Sequence, residues 1–289
     1  FNLIRNIGAF SFFIFLNSII DQVNWNVDKF LLGRLIGSAA IAIYSVGAQI
    51  NSIYTQVSDM TASVMATQVN LIVANSNDPM EKLNVLFVKI GRIQAYIVFA
   101  IVSGFLVLGR DFITLWAGRD YDEAYYVTLF LIVPAAIPLM QSLGVDIQRA
   151  LNKHQIRSII YAGLAIGNII ISVPLIYKFG ASGAAFGTAI SLLIGNGLVM
   201  NIVYKKYIGL NVVLFWKRVF PVIAVSLIPI TFGFITNYLC AVVSWHALIL
   251  KGLIFIIVFF ASEYLIAMNK EERNMVTNIF CSKMKKDII

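Results

Sequence analysis

Apolar stretches, each about the length of a membrane-spanning helix, recur along the chain. A helix needs about 20 mainly apolar residues to cross the roughly 30 Å hydrocarbon layer, because each residue rises about 1.5 Å. Eight segments meet this requirement, and none shows the alternation of transmembrane β-strands. We predict an all-α integral membrane protein with about eight transmembrane helices. The spans are predicted near Ile7 to Val27, Ala39 to Met60, Ile93 to Gly109, Tyr125 to Val145, Ser158 to Tyr177, Ser182 to Tyr204, Val219 to Leu239 and Ala247 to Met268.

The composition supports the same class of protein. Of the 289 residues, 60% are hydrophobic and 12% are charged, against about 45–50% and about 25% in soluble domains. A soluble fold of this composition would expose large apolar patches, and the same excess of apolar residues excludes a disordered chain. The net charge of +8 would suggest nucleic-acid binding in a soluble protein. In a membrane protein it reflects topology, and we predict no nucleic-acid partner.

Basic residues are distributed unevenly between the two sides that alternating spans define. Sixteen lie on one side and five on the other, and Lys251 lies just inside the last span. Because Lys and Arg near span ends are retained in the cytoplasm, we expect both termini to be cytoplasmic. The loops are short, and the tail 269–289 is expected to be solvated or to lie on the lipid surface.

Polar residues form two stripes along the first two predicted helices, the second of which continues into a cytoplasmic extension of its span. In the first, Asn17, Asp21, Asn24 and Asp28 recur at steps of four, three and four, which places them on one helix face. Polar side chains at membrane depth tend to face water or protein, so the stripes predict a water-filled cavity, with interhelical hydrogen bonding as the alternative. The second stripe contains Ser45, Gln49, Ser52, Gln56, Asp59, Ser63, Thr67 and Asn70.

Three further features concern the later spans. Pro134 and Pro138 should kink the fourth span, because each removes a backbone donor. Asp146 and Arg149 have the spacing of an intrahelical ion pair. Glu263, the acid in the last span, is expected to reach the membrane interface.

Small residues from Gly180 to Gly187 predict a close contact between two helices. A weaker version precedes the second span, at Ile36 to Ala40. The two together resemble an internal repeat of a helical hairpin, which many transporters contain.

Motifs for catalysis, cofactors and metals are missing from the sequence. There is no phosphate-binding loop, no HExxH motif and no metal spacing of Cys and His. No pair of carboxylates lies beside a nucleophile. We therefore predict no catalytic residue, no cofactor and no metal site, and we expect that the protein is not an enzyme.

Several tracts resemble a known family. The residues from Asp28 to Gly37, followed by Ala42 to Val46, resemble the start of the second half of bacterial O-antigen and capsular polysaccharide flippases. The tracts Gln148 to His154 and Phe179 to Ala185 also look like this family. It belongs to the multidrug/oligosaccharidyl-lipid/polysaccharide exporter superfamily, and the resemblance covers essentially the whole chain.

The resemblance implies a fourteen-helix protein with two six-helix lobes and two additional helices. Residues 1–210 would be the second lobe, 211–268 the two additional helices and 269–289 the cytoplasmic tail. A first lobe of the same protein is then expected upstream of Phe1, which is not an initiator methionine.

The resemblance also implies an activity and a location. Members of the family move undecaprenyl-pyrophosphate-linked oligosaccharides across the bacterial inner membrane by alternating access, with an ion gradient of H⁺ or Na⁺ as the expected driving force. Membrane lipid would surround the carrier. Sugar hydroxyls need hydrogen-bonding side chains and phosphates need cations. The expected roles are Asn17, Asn24, Gln49 and Gln56 for the sugars, Lys29 and Arg34 for the phosphates, and Asp21 and Asp59 for the coupling ion.

Three alternatives remain from the sequence. A drug or cation antiporter of the same superfamily would have an aromatic pocket rather than amide stripes. A membrane polysaccharide polymerase or ligase would need a large outer loop with basic residues, whereas the loops here are short. A purely structural membrane subunit would not need aligned acids within its spans.

Overall fold

The computed structural model describes residues 12, 15, 26–76, 78–153, 155–240, 242 and 244–277, with the backbone alone at 61–63. All regular structure in these residues is helical, which confirms the predicted all-α class. The first predicted span, Ile7 to Val27, lies almost wholly outside the described residues.

The helices are numbered α1 to α11 along the described chain. Wider π-helical turns continue α6, α7 and α10, at Leu193–Val199, Tyr204–Ile208 and Glu263–Ala267 respectively. The helices are α1 (26–35), α2 (Ser38–Asn75), α3 (Met80–Trp116), α4 (Ala124–Met140), α5 (Ser142–Ala150), α6 (Gln155–Leu192), α7 (Met200–Val203), α8 (Val212–Val225), α9 (Leu227–Leu239), α10 (Trp245–Ser262) and α11 (270–277).

Several helical stretches are long and apolar enough to cross a membrane, so the protein is a multi-pass membrane protein. Within the described residues there are four of them, or five if the bent pair α4 and α5 counts as one span. The helix α2, which holds the second predicted span, is not among these, because polar residues interrupt its apolar sequence. The four are Met80–Trp116, Gln155–Ile208, Val212–Leu239 and Trp245–Ala267.

The stretch Gln155–Ile208 doubles back at Gly180, whose φ of 57° and ψ of −131° break the helix. Beyond this break the two arms touch through small residues. A Cβ atom on Gly183 would lie 2.0 Å from the carbonyl oxygen of Leu175, and one on Gly187 would lie 2.2 Å from Oγ of Ser172. The predicted close contact is therefore confirmed, and the turn lies where the fifth predicted span ends and the sixth begins.

The helices α3 and α4 organise the packing. α4 lies against α2, α3 and α6, and α3 also contacts α8, α9 and α10. The two predicted additional helices thus pack directly on the predicted lobe. Gly233 of α9 lies against Val107 of α3, and Phe255 and Phe259 of α10 complete a small core with Val107.

The fourth predicted span bends, as its prolines predict. α4 ends at Met140, and α5 leaves it at an angle of 43°. Pro138 has no N–H to donate to the carbonyl group of Pro134 one turn earlier, so the helix is weakened just before the break. Gln141 lies at the bend with φ −102° and ψ 13°.

Candidate functional site

Two contiguous cavities lie between α2, the α4–α5 bend and the hairpin of α6. Their volumes are about 510 Å³ for the first cavity and about 550 Å³ for the second cavity, within the range of about 300–1,000 Å³ of small-molecule sites. Because they share a wall, they form one groove. The shared residues are Asp59, Pro138, Leu139, Arg157, Tyr161 and Asn196.

The first cavity is rich in hydroxyl and amide groups. Asn26 and Lys29 of α1 face Asn51, Ser52 and Thr55 of α2 across it. The amide and hydroxyl side chains can both donate and accept hydrogen bonds, and Lys29 adds a positive charge.

The second cavity carries most of the charge. Arg149 and Asp146 of α5 line it, and Nη1 of Arg149 lies 3.6 Å from Oδ1 of Asp146, which confirms the ion pair predicted from their spacing. The guanidinium of Arg157 lies 4.6 Å from the ring centroid of Tyr161. This cation–π contact holds a positive charge at the junction of the two cavities.

The structure places the predicted site residues in different surroundings. Lys29 and Asp59 line the groove, Asp59 in both cavities. Gln49 and Gln56 of α2, and Arg34 of α1, are exposed and lie outside its walls, and Gln56 donates to Oγ of Ser52. Asn17, Asp21 and Asn24 lie outside the described residues.

The groove-facing side of α2 shares Ser52 and Asp59 with the predicted stripe but does not include Gln49 or Gln56. Above Asp59 it presents Ala48, Asn51, Ser52 and Thr55. The helical period of the stripe is correct, but the side of α2 that faces the groove is rotated away from Gln49 and Gln56. A regular spacing fixes which residues share a face and leaves open which way that face points.

A buried acid that the sequence had not singled out as a site residue lies beside the first cavity. Asp28 is fully buried, and its Oδ2 accepts hydrogen bonds from Tyr44 (2.7 Å) and Thr188 (2.6 Å). Thr188 in turn accepts from Asn168, which accepts from Ser172. The other carboxylate oxygen, Oδ1, has no hydrogen-bond partner among the described residues. The signal in the sequence was its place at the end of the first polar stripe.

A second buried acidic cluster lies on the far side of α3. Glu272 of α11 accepts two hydrogen bonds from Arg92, at 2.7 and 2.8 Å, and a third from Tyr96. The amide of Asn269 donates to the same carboxylate, and Asn269 Oδ1 accepts from the amide of Glu272, forming a capping box. The start of the tail is therefore docked on the helices rather than solvated.

Burial affects two acids in this part of the protein, Glu272 and Glu263. Burial alone would raise the pKa of Glu272, but the hydrogen bonds from Arg92 and Asn269 outweigh it and hold the pKa below its usual value. Glu263 does not reach the membrane interface as expected. It is fully buried and accepts a hydrogen bond from Ser226, which lies between α8 and α9. The hydroxyl of Ser226 gives the carboxylate a partner inside the protein.

Comparisons with known proteins agree with the resemblance in the sequence. A family described as "Polysaccharide biosynthesis protein" matches residues 1–126. A protein of Klebsiella pneumoniae named "Uncharacterized membrane protein in cps region" is 23% identical over 194 residues, which are 64% of this chain and 37% of that protein. Lipopolysaccharide biosynthesis protein WzxC of Escherichia coli (strain K12) is 24% identical over 199 residues, 68% of this chain and 38% of the relative.

The matched part of the chain spans less than two fifths of the length of either curated relative. No solved structure matches. The family match covers α1 to α3 and the start of α4, and the two relatives extend the similarity to about two thirds of the chain. These matches show similarity to membrane and polysaccharide biosynthesis proteins, and they agree with the resemblance of the tracts at Asp28 to Gly37 and Phe179 to Ala185 to polysaccharide flippases.

Proposed function

We propose that the protein is a transporter that flips undecaprenyl-pyrophosphate-linked oligosaccharides across the bacterial inner membrane for the synthesis of surface polysaccharide. The observation that carries the proposal is the groove itself. Apolar helices enclose a wall of amides and hydroxyls with an anchored guanidinium at its centre. The sugars of such a substrate need the amides and hydroxyls, and its phosphates need the guanidinium.

Each part of the substrate has a matching part of the groove. Asn51, Ser52 and Asn196 would bond sugar hydroxyls in place of water, and Lys29 and Arg157 would meet the pyrophosphate. Pro138 and Leu139 offer apolar surface at the junction. The lipid tail would stay in the bilayer.

Coupling to an ion gradient needs a group that binds H⁺ or Na⁺. Asp28 meets this requirement better than the acids expected from the sequence, since it is buried with one oxygen unpartnered by any described residue. The hydroxyl oxygens of Tyr44 and Thr188 are at 2.7 and 2.6 Å from the other oxygen, so two further hard oxygen ligands lie beside the carboxylate. Asp59, on the groove wall, would sense the substrate or exchange protons with it.

Transport by alternating access also needs a second wall to the groove. We propose that a first six-helix lobe of the same protein supplies it and that both ends of the present segment are cytoplasmic. The uneven distribution of Lys and Arg supports the orientation, and repeat-built transporters bind substrate between their lobes.

A drug or cation antiporter of the same superfamily is the second candidate. Its pocket would be mainly aromatic, whereas Tyr161 and Tyr204 are the aromatic residues among those lining the two cavities of the described structure. The relatives' names point to surface polysaccharides, so we propose a transporter of lipid-linked sugar rather than an antiporter or an enzyme.

The proposal is tested by deleting the gene in its own bacterium and restoring it with variants. Loss of surface glycan with accumulation of lipid-linked oligosaccharide on the cytoplasmic side is expected, and Arg157→Gln should restore little of the export. Arg110→Gln is the matched control, because Arg110 forms an exposed ion pair with Asp122 at 3.5 Å. Unchanged surface glycan in the deletion strain would overturn the proposal.

Water access to the groove is a separate test. After replacement of Cys240 and Cys281, Ser52→Cys should react with a membrane-impermeant thiol reagent, since Ser52 lines the first cavity. Ile53→Cys is the control, because Ile53 is exposed on α2 and lies outside the groove walls. Equal resistance of both cysteines would show that the groove is dry.

A further inference from the structure

Asn201 is the centre of a hydrogen-bond network that lies behind the groove. Its Nδ2 donates to the carbonyl oxygens of Asn196 (2.8 Å) and Gly197 (2.9 Å). Its Oδ1 accepts from Gln141 (2.8 Å) and from the indole of Trp216 (3.0 Å). An amide has two donors and two acceptor sites, so Asn201 uses its full hydrogen-bonding capacity.

The four partners of Asn201 belong to three separate elements. Asn196 and Gly197 lie in the π-helical turn Leu193–Val199, where wide turns disturb the usual backbone hydrogen bonds. Gln141 is the residue at the α4–α5 bend, and its side chain is almost completely buried. Trp216 belongs to α8, one of the two predicted additional helices.

Packing around the network leaves little room for independent movement. A Cβ atom on Gly144 of α5 would lie 2.8 Å from Cζ of Tyr204, and one on Gly197 would lie 3.5 Å from Ile137 of α4. The turn Leu193–Val199 therefore contacts α4 before the bend, and the turn Tyr204–Ile208 contacts α5 after it. A change in the bend angle must move these turns or break the hydrogen bond between Gln141 and Asn201.

The network reaches the groove through one more residue. Oδ1 of Asn196 accepts a hydrogen bond of 2.5 Å from the hydroxyl of Tyr161, and both residues line both cavities. Tyr161 also carries Arg157 on its ring. A ligand that contacts Asn196 is thus two hydrogen bonds away from the bend, and a ligand that contacts Tyr161 is three away.

We propose that Asn201 is a positioning residue that ties the α4–α5 bend and the α8 helix to the Tyr161–Asn196 wall, so that the wall and the bend rearrange together during transport. This inference rests on the proposed function. A two-state element that contacts the ligand site on one side and a bend on the other is the physical requirement for such coupling.

The test compares variants of Asn201 and Gln141 with another amide that is as buried as Gln141. Asn201→Ala and Gln141→Leu should each lower glycan export per protein molecule by about fivefold to tenfold, and the double variant should be no worse than Asn201→Ala, because both changes break one network. Gln94→Leu is the control. Gln94 is fully buried and joins α3 to Ser58 of α2 by two hydrogen bonds outside the network. The Gln94→Leu change should therefore lower the abundance of the protein more than the export per molecule.

A second measurement separates positioning from simple stabilisation. A cysteine at Ala66, which lines the second cavity, should react with an impermeant thiol reagent at different rates in energised and de-energised membranes. Asn201→Ala should abolish this difference, and Gln94→Leu should retain it.

The outcomes are distinguishable. Export per molecule and a labelling difference that both survive Asn201→Ala would overturn the inference, and Gln141→Leu decides the question if Asn201→Ala does not accumulate. Absence of export by the unmodified protein would instead overturn the proposed function.

Discussion

Two buried carboxylates, Asp28 and Glu272, are held in opposite ways. Glu272 has both oxygens bonded by Arg92, with further bonds from Tyr96 and the Asn269 amide. Asp28 has two hydroxyl donors on one oxygen, and the other oxygen has no partner in the described part of the chain. A carboxylate whose two oxygens are both bonded by protein donors is fixed in position. A carboxylate with one unbonded oxygen favours the binding of a cation.

The surroundings of the two acids match this difference. Asp28 joins α1, α2 and α6 beside the groove, on helices that would move during transport. Glu272 fixes α11 to α3, next to the apolar contacts that hold α8, α9 and α10 against α3. We therefore expect changes at Glu272 and Arg92 to act on stability and changes at Asp28 to act on transport.

The largest expected effect comes from breaking the paired cluster. Arg92→Leu leaves Glu272 buried without its cation and should lower the free energy of unfolding by about 3–5 kcal/mol. Arg110→Leu, which removes an exposed pair with side chains 63% and 42% accessible, should cost less than about 1 kcal/mol. Unfolding of the detergent-solubilised protein measures both, and equal losses would contradict the assignment of Glu272 as a structural anchor.

The second effect concerns transport. Asp28→Asn keeps an oxygen that accepts from Tyr44 and Thr188 but cannot hold a negative charge, so export should fall by about tenfold to hundredfold at unchanged abundance. Glu272→Gln is the matched control and should leave export per molecule close to that of the unmodified protein. Surface glycan and protein amount are measured together. Full export by Asp28→Asn would remove this carboxylate from the mechanism.

The third prediction sharpens the comparison through the helix that presents Thr188 to Asp28. Gly183→Ala would place a methyl group 2.0 Å from the carbonyl oxygen of Leu175, and forcing the hairpin arms apart should cost about 1–3 kcal/mol. Gly163→Ala is the control on the same helix, since nothing lies within 4 Å of its Cβ position. Thermal unfolding should separate the two variants, and a neutral Gly183→Ala would show that the arms can part freely.

The fourth prediction is a pH dependence of stability. The pKa of Glu272 is lower in the folded protein than in the unfolded chain, so its contribution is complete above the unfolded pKa and is lost as pH falls through the folded pKa. This contribution of Glu272 should be constant around neutral pH and decline in the acid range. Glu272→Gln should remove part of that decline, and an unchanged acid profile would contradict the role of the Arg92 pair.

The smallest effect is expected at the two glutamines that the stripe on α2 had selected. Both are exposed outside the groove walls, so Gln49→Ala and Gln56→Ala should change export by less than about twofold, as for ordinary surface substitutions. Asn51→Ala, on the groove side, is the comparison. Strong losses at both glutamines would show that a partner surface covers this face.

The sequence was sufficient for features that depend on local patterns. The apolar runs predicted helices, the prolines predicted the bend before Gln141, and the small residues after Gly180 predicted the tight hairpin. The spacing of Asp146 and Arg149 predicted their ion pair. Each of these follows from neighbours within one or two helical turns.

Features that depend on distant partners were not predictable in this way. The direction of the polar face of α2 is set by α4 and α6, so the period alone selected Gln49 and Gln56 rather than Asn51. Glu263 was expected at the interface because Ser226, 37 residues earlier, gives no signal in its vicinity. The network at Asn201 draws on residues from Gln141 to Trp216, and a single sequence does not reveal which distant side chains meet.

The anchor at Glu272 also has a consequence for how the polypeptide is made. Arg92 and Glu272 are 180 residues apart, so the guanidinium reaches the membrane while its counter-ion has yet to be translated. Until then it must be tolerated by lipid headgroups or by the insertion machinery. Products that stop before Glu272 would retain this unmatched cation, and they should be degraded quickly by membrane proteases even though their other helices are already in place.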